Sequence, residues 1–82
     1  MTKFNKKRVV RGFINMFAES DLSEYEIIQR LLPFATPKTN DSSIDNFFHR
    51  AENKLMSMSK EQLIKTVTDY VDPENIESWS ED

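Results

Sequence analysis

The sequence predicts an all-α fold, a compact bundle or orthogonal array of four helices followed by a short C-terminal helical turn. Glycine and proline number one and three among 82 residues, whereas folds built from strands and turns need many more chain-reversing residues. Apolar residues recur at helical spacing, and helix start signals precede several of these stretches. A chain of this length supports one modest core. Residues 1–82 are therefore predicted to form a single domain, with residues 1–5 and 80–82 frayed.

The first helix is expected from about Lys6 to Ala18. Its apolar residues follow the i, i+3, i+4, i+7 spacing of one helix face, at Val10, Phe13, Ile14 and Phe17. Gly12 lies inside this helix, where glycine costs about 1 kcal/mol relative to alanine. That cost indicates either a neighbour that approaches closely or a weaker turn. Val9 and Met16 lie away from the apolar line and are predicted to stay outside the core.

The second helix is expected from about Ser23 to Leu32. Ser23 and Glu26 have the spacing of a capping box, in which a hydroxyl and a carboxylate satisfy free backbone amides of the first turn. Pro33 ends the helix because it disfavours helical geometry at the residue before it. A connector then runs to about Asn40. The predicted core residues of this helix are Ile28, Leu31 and Leu32.

The third helix is expected to begin between Asp41 and Ser43, where several residues compete as the N-terminal cap. Its stripe of apolar residues consists of Ile44, Phe47, Phe48, Ala51 and Leu55. Most of the aromatic residues, including Phe34 in the connector, are predicted to belong to the core, because each buried ring removes about 150–250 Å² from water.

The fourth helix is expected from about Lys60 to Val71, with a second capping box formed by Ser59 and Gln62. Its predicted core residues are Leu63, Ile64, Val67, Tyr70 and Val71. A fifth helical turn is expected from Pro73 to about Ser78, since proline is favoured in the first position of a helix. This turn places Ile76 and Trp79 on one side.

Charge is distributed unevenly along the chain. Residues 1–11 contain five basic residues and no acid, while residues 69–82 contain six acidic residues and no base. Two interpretations remain open at this point. In the first, the two ends fold close together and partly neutralise each other, or simply stay solvated. In the second, the basic end binds an acidic partner or phosphates.

No constellation of catalytic or metal-binding residues is recognisable. Cysteine is absent, and one glycine excludes a glycine-rich phosphate loop. His49 shares a helix flank with Asp45 and Glu52, but a lone histidine among polar neighbours is typical of an exposed surface residue. A di-metal bundle site would need Glu-x-x-His units on two helices. The sequence therefore predicts no enzyme activity, no catalytic residue, no metal and no cofactor.

The main functional hypothesis is a small non-catalytic regulatory protein of the inhibitor or adaptor type that binds a partner protein. The first helix carries a basic flank and more apolar residues than one face hides. Self-association through the same surface, giving a homodimer, would also cover this excess. The remaining alternative is that the excess needs no partner, because single exposed apolar residues are ordinary in a small domain. The candidate partner-binding residues are Lys6, Lys7, Arg8, Val9, Arg11 and Met16.

The alternative is a DNA-binding regulator that uses the third helix in a helix-turn-helix-like arrangement. The candidate nucleic-acid-binding residues are Asn46, His49, Arg50, Asn53 and Lys54. The connector of about eight residues is longer than the three or four of the standard motif. The pI near 5.1 and the acidic Asp45 and Glu52 on the same helix also weigh against phosphate binding.

The sequence favours a cytoplasmic location without membrane association. No stretch approaches the roughly 20 apolar residues of a bilayer span. The basic start lacks the uninterrupted apolar run and cleavage site of a signal peptide, and no lipidation motif is present.

Overall fold

The computed structural model describes residues 4–38 and 43–80. These residues form five helices, and no strand occurs within those two ranges, so the all-α prediction is confirmed. The helices are α1 (Lys6–Ala18), α2 (Glu24–Leu31), α3 (Ile44–Met56), α4 (Lys60–Thr68) and α5 (Pro73–Ser80).

The predicted helix boundaries are close to the observed ones. α1 begins and ends as predicted, α4 ends three residues before Val71, and α5 continues two residues beyond Ser78. The backbone amides of Tyr70 and Val71 both donate to the Val67 carbonyl oxygen, at 3.0 Å each, in a tight closing turn. The competing caps Asp41 and Ser42 lie outside the described residues, and Ser43 occupies the N-cap position of α3.

Side-chain caps fix the start of three helices. Ser23 accepts a hydrogen bond from the Glu26 amide at 3.2 Å, and Ser59 accepts one from the Gln62 amide at the same distance. Both predicted hydroxyl caps are therefore confirmed. Asn5 caps α1 by accepting from the Arg8 amide at 3.1 Å, a cap that the sequence analysis did not identify.

The core forms around α1, which packs against α3 on one side and α5 on another, while α4 packs on α5 and α2 on α3. Val9 was predicted to lie outside this core, and that placement is wrong, because its side chain has 0% exposure. Periodicity locates one buried stripe, but contacts from two sides widen the buried arc of α1. The core residues are Val9, Val10, Phe13, Ile14, Phe17, Ile27, Leu31, Phe34, Phe47, Ala51, Leu55, Leu63, Val67 and Ile76.

Two residues predicted to be buried are instead exposed over more than a third of their surface. Leu32 retains 38% of its surface and Tyr70 retains 40%. α2 packs mainly on α3 and buries Leu31, as predicted, together with Ile27, and Leu32 lies in the turn that follows the helix. Tyr70 lies beyond the end of α4, so its ring covers the core from outside instead of entering it.

Phe13 is the centre of a cluster of four aromatic rings. Its ring centroid lies 5.2 Å from that of Phe17, 6.0 Å from that of Phe34 and 5.4 Å from that of Tyr70, all in edge-to-face arrangements. Such pairs contribute about 0.5–1.5 kcal/mol each beyond the area they bury. The cluster therefore joins α1 to the connector and to the end of α4.

Gly12 allows α5 to pack closely on α1. A Cβ atom at this position would overlap the indole ring of Trp79, which confirms the close approach that the sequence left as one of two explanations. Farther along the same pair of helices, Met16 and Glu19 line a cleft together with Asn75. α1 and α5 are therefore antiparallel neighbours.

Candidate functional site

The outer face of α1 carries most of the predicted basic contact residues. Lys7, Arg8 and Arg11 are exposed, and the face continues along exposed Asn15 and Ala18. Lys6 and Met16 are half-buried, and Val9 is inaccessible in this conformation. The structure thus places three of the six predicted partner-binding residues fully on the surface.

The charge of α1 opposes its helix dipole. The first turns of α2, α3, α4 and α5 each contain at least one acidic residue, whereas the first turn of α1 contains none. It instead contains Lys6, Lys7 and Arg8. The N-terminal end of a helix carries partial positive charge, so cations there are unfavourable by about 0.3–1 kcal/mol each. The three cations and the positive end of the helix dipole together make the start of α1 a concentrated positive region.

The start of α1 lies beside the end of α5. The Asn5 amide donates a hydrogen bond to the Ser80 hydroxyl oxygen at 2.6 Å. This bond joins residues of both termini that were predicted to fray, while residues 1–3 and 81–82 lie outside the described part of the chain. The start of α1 and the end of α5 are therefore neighbours in space, which is the spatial part of the first charge interpretation.

A shallow cleft of about 490 Å³ follows the contact between α1 and α5. It combines an indole ring, a thioether, two side-chain amides and a carboxylate. Its lining residues are Gly12, Asn15, Met16, Glu19, Asn75 and Trp79. Met16, a predicted contact residue, thus faces the border of α5 and not open solvent alone.

The predicted nucleic-acid-binding residues of α3 are distributed differently. Asn46, His49, Asn53 and Lys54 are exposed. Arg50 is half-buried, and its guanidinium donates to the carbonyl oxygen of Thr36 at 2.9 Å and to that of Asn46 at 3.3 Å. The same group lies 6.0 Å from the centroid of the Phe47 ring. Arg50 therefore fastens the connector to α3.

A second groove, of about 430 Å³, lies between the start of α4 and α5. The Lys60 ammonium lies 5.2 Å from the centroid of the Phe4 ring at its edge. The remaining lining residues are Ile64, Pro73, Ile76, Glu77 and Ser80. The groove offers apolar surface between one cation and one anion, and no residue predicted as functional lies in it.

Within residues 4–38 and 43–80, no three acidic or histidine side chains gather closely enough to hold a metal ion. Across the same ranges, no helix has both the length and the hydropathy to cross a membrane. Comparison with protein-family models, curated protein sequences and solved structures found no match.

Sequence reasoning missed the two polar residues that join the ends of the chain. Asn5 carried a usable signal, because asparagine before the first residue of a helix is a favoured cap. Ser80 carried none, since its partner is 75 residues away and local patterns contain no information about such pairs.

Proposed function

We propose that the protein is a cytoplasmic, non-catalytic regulatory protein of the inhibitor or adaptor type that binds a partner protein through α1. The reversed charge of this helix is the observation that supports the proposal. Lys6, Lys7 and Arg8 oppose the helix dipole in the first turn, and exposed Arg11 extends the positive charge along the same helix. Residues that locally disfavour folding are expected at functional sites, because function and not stability explains why they are present.

The partner surface that fits this helix is acidic. Clustered cations attract an oppositely charged surface over distances of about one Debye length, near 8–10 Å at physiological salt. Charge complementarity of this kind accelerates encounter and selects among partners more than it adds affinity. Capture of the partner is therefore expected to weaken as salt is raised.

Charge reversal on α1 is expected to reduce binding while leaving the fold intact. Lys7→Glu combined with Arg11→Glu should lower partner capture at least tenfold, measured by quantitative pull-down from the native host. The same double variant should unfold at equal or higher urea concentration. Lys7 lies in the first turn of α1, where an acidic residue is favoured by about 0.3–1 kcal/mol.

The matched control reverses two charges elsewhere. Lys54 and Lys65 lie in the last turns of α3 and α4, where lysine is favoured by the dipole. Lys54→Glu with Lys65→Glu is expected to lower stability and to keep capture. Equal loss of capture in both double variants would contradict the role assigned to α1.

The second candidate function is DNA binding through α3. The favouring observation is that Asn46, His49 and Asn53 are exposed at i, i+3 and i+7 on one side of this helix. Asparagine pairs well with adenine in the major groove. The involvement of Arg50 in the connector contact removes the strongest phosphate or guanine ligand from this face.

A salt titration on labelled duplex DNA tests this candidate. Binding that appears at about 50 mM salt and falls steeply with added salt is expected of a DNA-binding protein. In that case Asn46→Ala with Asn53→Ala should weaken it, with Lys65→Ala as the control. The absence of binding at low salt would eliminate this candidate and leave the protein-binding proposal unaffected.

A further inference from the structure

One flank of α1 is occupied by α5, and this flank contains the apolar residues predicted to contact a partner. Asn5 and Gly12 both contact α5, through Ser80 and Trp79 respectively. Val9 and Met16 lie on the same stripe, because positions 5, 9, 12 and 16 recur at helical spacing. The apolar part of the predicted partner-binding surface is therefore present on α1, but α5 of the same chain covers it.

α5 shows which chemistry this flank accommodates. Its apolar side buries Ile76 and seats the Trp79 ring on Gly12. Its other side exposes Glu74 and Glu77, and Pro73–Ser80 contains no basic residue. An amphipathic acidic helix with an aromatic anchor is thus already bound beside the basic start of α1.

α5 is a short helix that one turn connects to the rest of the fold. The helix has eight residues, fewer than the roughly 12–15 that an isolated helix needs for even marginal stability in water. It packs mainly on α1 and α4, and a short turn at residues 69–72 connects it to α4. Rotation in this turn would separate α5 from α1 while the contact between α1 and α3 remains. Proteins open locally, one element at a time, at a lower free energy than global unfolding.

We propose that α5 is a displaceable strap over α1. The partner protein supplies an acidic amphipathic helix with an aromatic anchor, which replaces α5 on the stripe formed by Val9, Gly12 and Met16. This inference rests on the proposed function, because it names the chemistry of the partner and adds an autoinhibitory contact to the same helix.

A peptide with the sequence of residues 72–82 is the probe for this exchange. The labelled peptide should bind the full chain carrying Trp79→Ala at least tenfold more tightly than it binds the unmodified chain, as measured by fluorescence anisotropy. A strap that is closed about nine-tenths of the time reduces apparent affinity about tenfold, because only the open fraction binds. Removing the indole of Trp79 should release that competition.

Two controls and one milder variant define the effect. A peptide with both Ile76→Ala and Trp79→Ala should bind neither chain, because it lacks the apolar anchors. Tyr25→Ala in the full chain changes an exposed aromatic residue of α2 and should leave peptide affinity as in the unmodified chain. Ser80→Ala removes the hydrogen bond to Asn5 and provides a milder variant if Trp79→Ala lowers the helical circular dichroism.

Hydrogen exchange on the unmodified protein gives a test that needs no variant. The amides of α5 should exchange with lower protection than those of Phe13 and Phe17 in α1, because the strap opens without global unfolding. Equal protection of both helices would overturn the strap.

Two further results would also overturn it. One is equal peptide affinity for the unmodified and Trp79→Ala chains, including no binding to either. The other is a doubled mass of the Trp79→Ala chain in light scattering, which would mean that a second copy exchanges α5. Failure here together with loss of capture by the Lys7→Glu and Arg11→Glu variant would reject the strap and retain the proposed function.

Discussion

Phe13→Ala is expected to cost about 3–5 kcal/mol and to bring the protein close to unfolding. Phe13 is fully buried and its ring contacts three other aromatic rings. Truncation removes the transfer free energy of the ring and leaves a cavity. A domain of 82 residues has a total stability of about 4–12 kcal/mol at 0.05–0.15 kcal/mol per residue. The loss should appear in urea denaturation followed by circular dichroism.

Tyr70→Phe is the matched control within the same cluster. It keeps the ring that contacts Phe13 at 5.4 Å and removes only the hydroxyl of a residue with 40% exposure. Surface changes of this kind usually remain within about 0.5 kcal/mol. A Phe13→Ala midpoint as close to the unmodified protein as that of Tyr70→Phe would show that the cluster does not hold the fold.

Phe47→Ala and Phe48→Ala are expected to differ although the residues are adjacent. Phe47 is 1% exposed in the core, whereas Phe48 is half-buried at its edge. The first substitution should cost about 3–5 kcal/mol, as cavity formation in a core does. The second should cost about half as much, because the free energy scales with the apolar area removed from water.

The comparison uses equilibrium unfolding of both variants under identical conditions. The sequence predicted both rings for the core, and the structure assigns full burial to Phe47 alone. Similar midpoints for the two variants would contradict that assignment, as would a larger loss for Phe48→Ala.

Local chemistry made much of the fold predictable from the sequence. Ser23 and Ser59 satisfy amides three residues away, so their role is legible in a short window. The apolar spacing of α1 gave both ends of that helix correctly. The failures concern residues whose environment depends on distant segments. Val9 is buried by helices that lie far along the chain. Tyr70 lies beyond the end of α4, which the apolar pattern predicted to continue to Val71.

The candidate site was only partly predictable for the same reason. Exposure of Lys7 and Arg11 follows from their position on the polar side of an amphipathic helix. To predict that α5 covers Met16, one must know which helices pack together. The packing of α5 on α1 depends on the absence of a side chain at Gly12. The sequence indicated a close approach at this glycine, but it did not identify Trp79 as the residue that approaches.

The central position of α1 affects how the protein is made. Its two main neighbours, α3 and α5, are encoded later in the chain than α1 itself. Ribosomes add about 5–20 residues per second, so newly made α1 spends on the order of seconds before the segment that covers Gly12 emerges. During translation the apolar side of α1 is open to chaperones and other binding proteins. Completion of the fold then covers this side and ends that access.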